Sequence, residues 1–413
     1  MGKIIPLISA KLSGSSVQSN IVNGVYTFGL PYNSSGAVKL YKDNEVNKDN
    51  GVSGIDVVLE QSHILGKNIL NSPYKLIAAD INGDGKITAL DIVYMKRVIL
   101  GIDTTFTNST TKQTRMWAFV NNGYVFPDIT NPFPYNDSIN FINQDSSVGN
   151  KSFTGMKLGD VNWDWDAAVA RPNNNTLNAV ELSYSLANTY PSDALPGRTD
   201  GYIHIPVRVK NFRDLLTMQF TINFDTTVLK WNGIDNNLMN FDLGTNHAEE
   251  GKITFLWNDP HNEVETLADG SVLFELVFQK IDNGQLIIDN ENTNTISLDG
   301  SVTKVEAYDK DYGLHGVVLN RVENIQPLQV ESWTVAPNPT TDGIIHVQMN
   351  LRDKKTIVFR LSDNTGKVVM VMQVEGVKGS NTINLRIGQQ LTMGVYYLKA
   401  EGVEGVKELI IKN

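Results

Sequence analysis

Residues 80–91 read Asp80-Ile-Asn-Gly-Asp-Gly-Lys-Ile-Thr-Ala-Leu-Asp91. A hard divalent cation needs several oxygen ligands on a segment short enough to wrap it. A loop of about twelve residues supplies them from side chains at positions 1, 3, 5 and 12, a backbone carbonyl at 7, and position 9, often through water. Here those positions hold Asp80, Asn82, Asp84, Asp91, the carbonyl of Lys86, and Thr88. Gly85 falls at position 6, where the chain must turn through positive φ, and Ile87 at position 8 would pin the loop to a core. Asx turns alone would gather Asp, Asn and Gly, but they would not align all these positions at once. The spacing therefore predicts a calcium-binding loop. Behind it, Ile92, Met95 and Ile99 recur at helical spacing and Gly101 is placed to cap the helix.

Working outward, the unit occurs twice. Asp56-Val-Val-Leu-Glu-Gln-Ser-His-Ile-Leu-Gly66 aligns with Asp91-Ile-Val-Tyr-Met-Lys-Arg-Val-Ile-Leu-Gly101, a period of about 35 residues. Counting back from Asp56 gives Glu45, Asn47, Asp49, the Gly51 carbonyl and Ser53 as ligand positions of a first loop. Glu45 is longer than the usual Asp, and Asn50 stands at position 6, where Asn tolerates the left-handed region. The expectation is one calcium in the second loop and another in the first. Neither loop shows a clear helix before it. A third acidic cluster follows, Gly159-Asp-Val-Asn-Trp-Asp-Trp-Asp166. Its Asp160, Asn162 and Asp164 copy positions 1, 3 and 5, but position 12 would be Arg171, which cannot bind a cation, so it reads as a truncated echo or a structural turn.

The rest of the chain alternates with period two. Ile203/Ile205/Val207/Val209, Met218/Phe220/Ile222/Phe224, Ile253/Phe255/Trp257 and Val272/Phe274/Leu276/Phe278 each share one strand face. That is the pattern of a sandwich with one wet face per sheet. Ile345/Val347/Met349, Ile357/Phe359/Leu361, Ile383/Leu385/Ile387 and Tyr396/Leu398/Ala400 predict a second sandwich. Gly24–Phe28 and Val38–Tyr41 look like strands of a small sandwich or its remnant. Arg171–Thr176 and Asn324–Val330 have linker chemistry. The reading is mostly β and multidomain, a small α calcium module flanked by β-sandwiches. Its divisions are 1–42 (sandwich remnant), 43–166 (tandem calcium module with extension), 178–322 and 333–413.

The chain has 413 residues, is 41% apolar and carries a net charge of −10 without a long basic run. That composition argues against nucleic-acid or anionic-membrane partners. Cysteine is absent, so disulfides and thiol chemistry are excluded, and a surface protein of this kind would rely on packing and metal. No stretch approaches the roughly eighteen apolar residues of a membrane span. The N-terminal apolar run is too short for a signal peptide, so an exported protein would have its true N-terminus missing or replaced here.

The tandem loop–helix units over residues 45–101 resemble a type I dockerin module, although both loops end in Asp where a typical EF-hand has Glu. The resemblance implies docking to a cohesin through loop positions 10 and 11. These hold Gly54-Ile55 and Ala89-Leu90 in place of the frequent Ser-Thr, a departure that puts the ordinary partner choice in doubt. Val207–Phe212, Met218–Asp225 and Trp257–Pro260 resemble a cohesin, a jelly-roll sandwich that binds dockerins; related sandwiches bind glycans. Pairing in cis or in trans are both open. A linker of about a dozen residues reaches about 40 Å at most, so internal pairing is strained but within reach, and the sandwich as a mere spacer is the alternative. Residues 333–413 resemble the type A sorting domain of the type IX secretion system of Bacteroidota. The motif residues are Pro337, Asn338, Pro339, Asp363, Gly366, Lys367, Gly394, Tyr396 and Lys407. In this reading Pro337 starts the first strand, Asp363–Gly366 makes a hairpin turn and Gly394 bends the chain before an aromatic strand. The resemblance implies an address read by the outer-membrane translocon and its shuttle, and hence a secreted or cell-surface protein.

Other constellations carry less. Glu60 and His63 stand at i, i+3 like half a metal site without a second half. His204 reads as solvent-exposed on the outward face of a strand with Tyr202 and Arg208. Asp103-Thr-Thr, Asp137-Ser-Ile and Asp225-Thr-Thr resemble the O-glycosylation acceptor pattern of these bacteria. No nucleophile elbow, phosphate loop or zinc spacing occurs. The sequence thus points to a non-enzymatic surface protein with calcium-dependent docking. The alternatives are a glycan-binding adhesin and the accessory tail of a polysaccharide-degrading enzyme.

Overall fold

A computed structural model describes residues 5–6, 8–13, 20–22, 25–42, 48–144, 149, 151–167, 179–185, 190–191, 202–281, 296–322, 330–340, 344–351, 354–364, 366–387, 391, 393–400 and 406–411. The expected linkers, 171–176 and all of 324–330 but Val330, lie outside them, as do Glu45 and Asn47.

Three helices form the calcium module: α1 (Gly54–Ile64), α2 (Pro73–Ala79) and α3 (Ala89–Ile99). Ser53 and Thr88 N-cap α1 and α3 in reciprocal boxes with Asp56 and Asp91, each of which satisfies two otherwise orphaned amides. Gly66 and Gly101 follow the two helices at φ +70° and +67°, the left-handed ending that glycine permits. α2 is a helix the sequence reading left out: Ser72 stands at its N-cap position and Pro73 opens it, and it runs directly into Asp80. The three helices pack on a core that includes Ile77, Ile81, Met95 and Ile99 together with Phe106, Phe119, Leu158 and Trp165 of the extension.

Residues 1–42 were expected to stand apart. Instead Ser34–Tyr41 pairs with Ser9–Leu12 on one side and Ser138–Gln144 of the extension on the other, and Ile5, Ile8 and Leu40 pack on the calcium module's core. Two or three short strands bury too little to stand alone, and these pair with and pack on residues of the next division.

The middle sandwich runs, by hydrogen-bonded neighbours, Leu229–Asp235, Val272–Lys280, Tyr202–Lys210, Val180–Tyr184, Leu314–Arg321, Glu306–Asp309, Leu215–Phe224, Lys252–Asn258 and Asp242–Gly244. Its first strand lies parallel to its last, Val180–Tyr184 on Leu314–Arg321. The expected inward set meets across the ladder, Met218 opposite Trp257, Phe220 opposite Phe255 and Ile222 opposite Ile253. Phe220, Phe255 and Phe274 form a triangle of rings, Phe255 lying 4.9 Å from each of the other two and those two 6.3 Å apart between centroids.

The last block is two facing sheets, Val330–Ala336/Ile344–Leu351/Gly379–Arg386 and Val368–Gly376/Lys355–Ser362/Gly394–Ala400/Val406–Ile411. Every residue of its expected inward set is buried. Pro337 follows the first strand and does not start it, since Ala336 is the last residue on the ladder and proline has no N–H to donate. Between the paired strands Lys355–Ser362 and Val368–Gly376, Gly366 sits at φ +86° and Asp363 accepts the Lys367 amide at 3.1 Å. Gly394 opens its strand, Tyr396 is buried, and the Lys407 ammonium lies 5.3 Å over the Trp333 ring. Arg360 reaches out of this block to the middle sandwich, its Nη2 donating to the Val272 carbonyl at 2.8 Å.

Candidate metal centre and docking face

In the loop after α2, side-chain oxygens turn inward and are held by backbone amides. Asp80 Oδ1 and Oδ2 accept from the amides of Asp84 (3.0 Å) and Gly85 (3.1 Å), and Asn82 Oδ1 accepts from Asp84 (2.9 Å). Asp84 Oδ1 accepts from Lys86 (2.9 Å). Asp91 closes the ring from α3, taking the Asn82 amide at 3.1 Å on one oxygen and the Thr88 amide at 2.9 Å on the other. Gly83 and Gly85 stand at φ +68° and +81°, so the backbone can turn twice. Asp80, Asn82, Asp84, Thr88 and Asp91 are thus brought together, and Lys86 is held beside them by its amide.

Each amide occupies one lone pair of an oxygen that has more. Burial pushes the Asp80 carboxyl up to about 6, against the Arg115 guanidinium, and pushes Asp91 up as well. A nest of hard oxygens with excess negative charge, Asp80, Asn82 and Asp91 buried and Asp84 at the exposed rim, fits a calcium ion.

The first expected loop is arranged differently. Ser53 and Asp56 occupy the places of Thr88 and Asp91, with the Ser53 amide 3.0 Å from Asp56 Oδ2. The other oxygen of Asp56 accepts the amides of Val161 (3.0 Å) and Asn162 (3.1 Å) from the extension. Asp49 is buried at a turn in which its carbonyl accepts the Val52 amide. Gly51 stands at φ +76° against Trp165 and Asp160. Sequence spacing missed that Asp56 faces residues about a hundred positions away.

The middle sandwich departs from the wet-face expectation, and the sheet that meets the helical module shows why. The outward residues Thr217, Gln219, Thr221, Thr254 and Leu256 are all buried: the start of α1 lies on Thr217 and Gln219, and Leu256 joins the core of the helical module. Gly54, at the first turn of α1, donates its amide to Gln219 Oε1 at 2.7 Å, satisfying a helix-terminal donor. A Cβ at Gly54 would stand 2.3 Å from Thr217 Oγ1, so with Thr217 in place only glycine lets the helix approach this closely. Ile55 and Val58 join Leu216 and Tyr308 in a small apolar cluster. Around it, Asn258 donates to Gln61 Oε1 (2.8 Å), Gln61 donates to the Asp259 carbonyl (2.8 Å), Asn262 donates to the Val58 carbonyl (2.7 Å), and Lys96 pairs with Asp242 (2.9 Å). The repeat supplies its own control: Ile55 is 2% exposed and its counterpart Leu90 49%; Val58 is 1% exposed and its counterpart Val93 49%.

On the opposite sheet His204 is buried, not exposed as expected. Its Nδ1 lies 3.3 Å from Asp235 and 3.7 Å from Glu275, and the three ligand atoms fall within 4.8 Å of one another. Glu60 is fully buried and both its oxygens lack a hydrogen-bond partner among the described residues; His63 accepts the Leu70 amide at 3.3 Å.

Residues 44–100 match the dockerin type I domain, 194–309 the cohesin domain, and 334–412 the secretion system C-terminal sorting domain. No curated protein matches the chain. Among solved structures, the sixth cohesin of scaffoldin B from Acetivibrio cellulolyticus, in complex with a mutant Cel5 dockerin, is 16% identical with TM-score 0.24, covering 35% of this chain and 99% of that one. The type II cohesin A11 from Bacteroides cellulosolvens is 15% identical with TM-score 0.23, covering 33% and 95%. The chain is a modular protein with cohesin and dockerin interaction modules and a type IX sorting tail, which implies export to the surface or the medium. The modules matched are for interaction and sorting, and no helix among the described residues is long and apolar enough to cross a membrane.

Proposed function

We propose that this chain, joining dockerin, cohesin and sorting modules, is a non-catalytic protein of the outer-membrane exterior whose calcium-folded dockerin module docks on its own cohesin sandwich. The observation that carries the reading is the close approach of α1 to the buried Thr217 and Gln219 on the outer face of Leu215–Phe224, with the Gly54 amide on Gln219. Left open to water, the threonines and the glutamine of this face would need no partner. Covered, they must be paired: Thr217 donates to the Trp257 carbonyl and Thr221 pairs with Thr254 within the sandwich, while Gln219 donates to Thr303 and accepts the Gly54 amide of α1. Calcium enters as a folding ligand, because the loops that hold α1 and α3 bring together carboxylates that repel one another without a cation. The sorting domain then delivers a pair already closed in cis.

A glycan-binding role has less support. Among the described residues of the middle sandwich, Tyr312 is the only exposed aromatic, and one ring does not line a groove. The docking reading is tested by thiol labelling, since the natural chain holds no cysteine. With calcium, a cysteine replacing Ile55 should resist a water-soluble thiol reagent while one replacing Leu90 reacts. In chelator both should react. Equal reactivity with calcium present would rule out docking through α1.

A further inference from the structure

The extension after α3 carries half of a loop. Asp160 Oδ1 accepts the amides of Trp163 (2.6 Å) and Asp164 (3.1 Å), and its Oδ2 accepts the amide of Trp165 (3.1 Å); Asn162 Oδ1 accepts from Asp164 (3.0 Å). Asp80 and Asn82 do the same for Asp84 and Gly85 in the second loop. The closing carboxylate also corresponds. Asp56 takes the Asn162 amide at 3.1 Å and the Ser53 amide at 3.0 Å, as Asp91 takes those of Asn82 at 3.1 Å and Thr88 at 2.9 Å. The echo that lacked a position 12 in sequence finds one in Asp56.

Two observations outside this bonding pattern point to a cation. Glu306 comes from the cohesin strand Glu306–Asp309; it is 5% exposed, and its Oε1 has no hydrogen-bond partner among the described residues. Its carboxylate meets the Ser53 hydroxyl and faces Asp164 and Asp49. That hydroxyl also lies 3.3 Å from Asp56 Oδ2. One hydroxyl proton cannot serve two carboxylates, and Lys304, 3.4 Å from Asp164, is a single positive charge among several negative ones. The second observation is Gly51, whose Cβ would stand 3.0 Å from Asp160 Oδ2 and 2.6 Å from Trp165. The backbone at position 7 therefore approaches the half-loop as closely as a residue without a side chain can.

We propose that the module's other calcium site is split across the chain, with Asp160, Asn162 and Asp164 supplying the first half-loop and Gly51, Ser53 and Asp56 the second, in place of a contiguous loop over 45–56. The site rests on the calcium reading of residues 80–91. It sits where α1 meets the cohesin sheet, one residue from Gly54, so filling it fixes the docked end of α1. Trp163 and Trp165 flank Asp164, whereas the loop at 80–91 contains no tryptophan, so terbium luminescence excited through tryptophan reports the split site.

The test is calcium titration by calorimetry on the full chain, with terbium luminescence in parallel. The parent should bind two calcium ions. Asp160→Asn with Asp164→Asn should bind one and lose most tryptophan-sensitised luminescence. Glu45→Gln should keep two. Two ions retained by the double variant, one ion lost by Glu45→Gln, or one ion in the parent would each overturn the split site and leave the loop at 80–91 intact. No binding by the parent would overturn the calcium reading itself. If the double variant fails to fold, Glu45→Gln still decides, because a contiguous loop needs its position 1 ligand.

Discussion

Truncating Ile55 to alanine removes a side chain that is 2% exposed and whose apolar neighbours beyond its own helix are Leu216 and Tyr308 of the sandwich. A buried Ile→Ala change costs about 2–5 kcal/mol, and the lower end applies at a boundary between modules that can partly collapse. Leu90 occupies the same position in the repeat but is 49% exposed, so Leu90→Ala should stay within about 0.5 kcal/mol. In an undocked module the two positions would be equivalent by the repeat, and the difference between the variants isolates the contact with the cohesin sheet. That difference should be about 2 kcal/mol, or about thirty-fold in the docking equilibrium. Because a chain of several modules does not unfold in one step, the suitable assay is native-state hydrogen exchange on the full chain in calcium, read at the amides of α1. The opening free energy of α1 should fall in Ile55→Ala and hold in Leu90→Ala. Equal losses, or a silent Ile55→Ala, would refute the reasoning.

Three further outcomes follow. Glu60 is buried with both oxygens unpaired and aligns with Met95 in the repeat; burial and the nearby Asp91, Asp56 and Asp80 hold its carboxyl well above the usual range. Glu60→Met should therefore raise stability in chelator at neutral pH by about 1–3 kcal/mol in a denaturant titration, and a loss would contradict the unpaired carboxylate. Asp80 is pushed from 3.8 up to about 6, so without calcium the folded state holds the extra proton. The stability this contributes is complete below the unfolded value and is lost as pH rises through the folded one. Calcium requires the carboxylate, so the gap in Tm between loaded and chelated chain should widen from about pH 5 to about pH 7; a constant gap would contradict it. Removing residues 333–413 should stop export, as read by surface labelling, and normal display of the truncated chain would sink the sorting role.

What the sequence made legible was local. Alternation named the inward faces of both sandwiches because each strand carries its own period, and the loop at 80–91 is complete within twelve residues. What it hid was contact between distant segments. Thr217 and Gln219 look like part of a wet face, and they are polar; α1, more than 150 residues earlier, covers them. Arg171 at position 12 ruled out the cluster at 160–164 only as long as the loop had to be contiguous. His204 was misread for the same reason, since Asp235 and Glu275 come from two other strands. α2 was different: Ser72-Pro73 was a readable start signal, passed over because the helix is only seven residues long.

The docked pair can be trapped directly. A Cβ at Gly54 would lie 3.3 Å from the Cβ of Thr217, close to the roughly 3.8 Å typical of a disulfide, and the natural chain supplies no competing thiol. The full chain carrying Gly54→Cys and Thr217→Cys, oxidised at low concentration in calcium, should form an intrachain bridge and migrate as a monomer, with the yield falling in chelator. Bridges only between chains, or none, would contradict docking in cis.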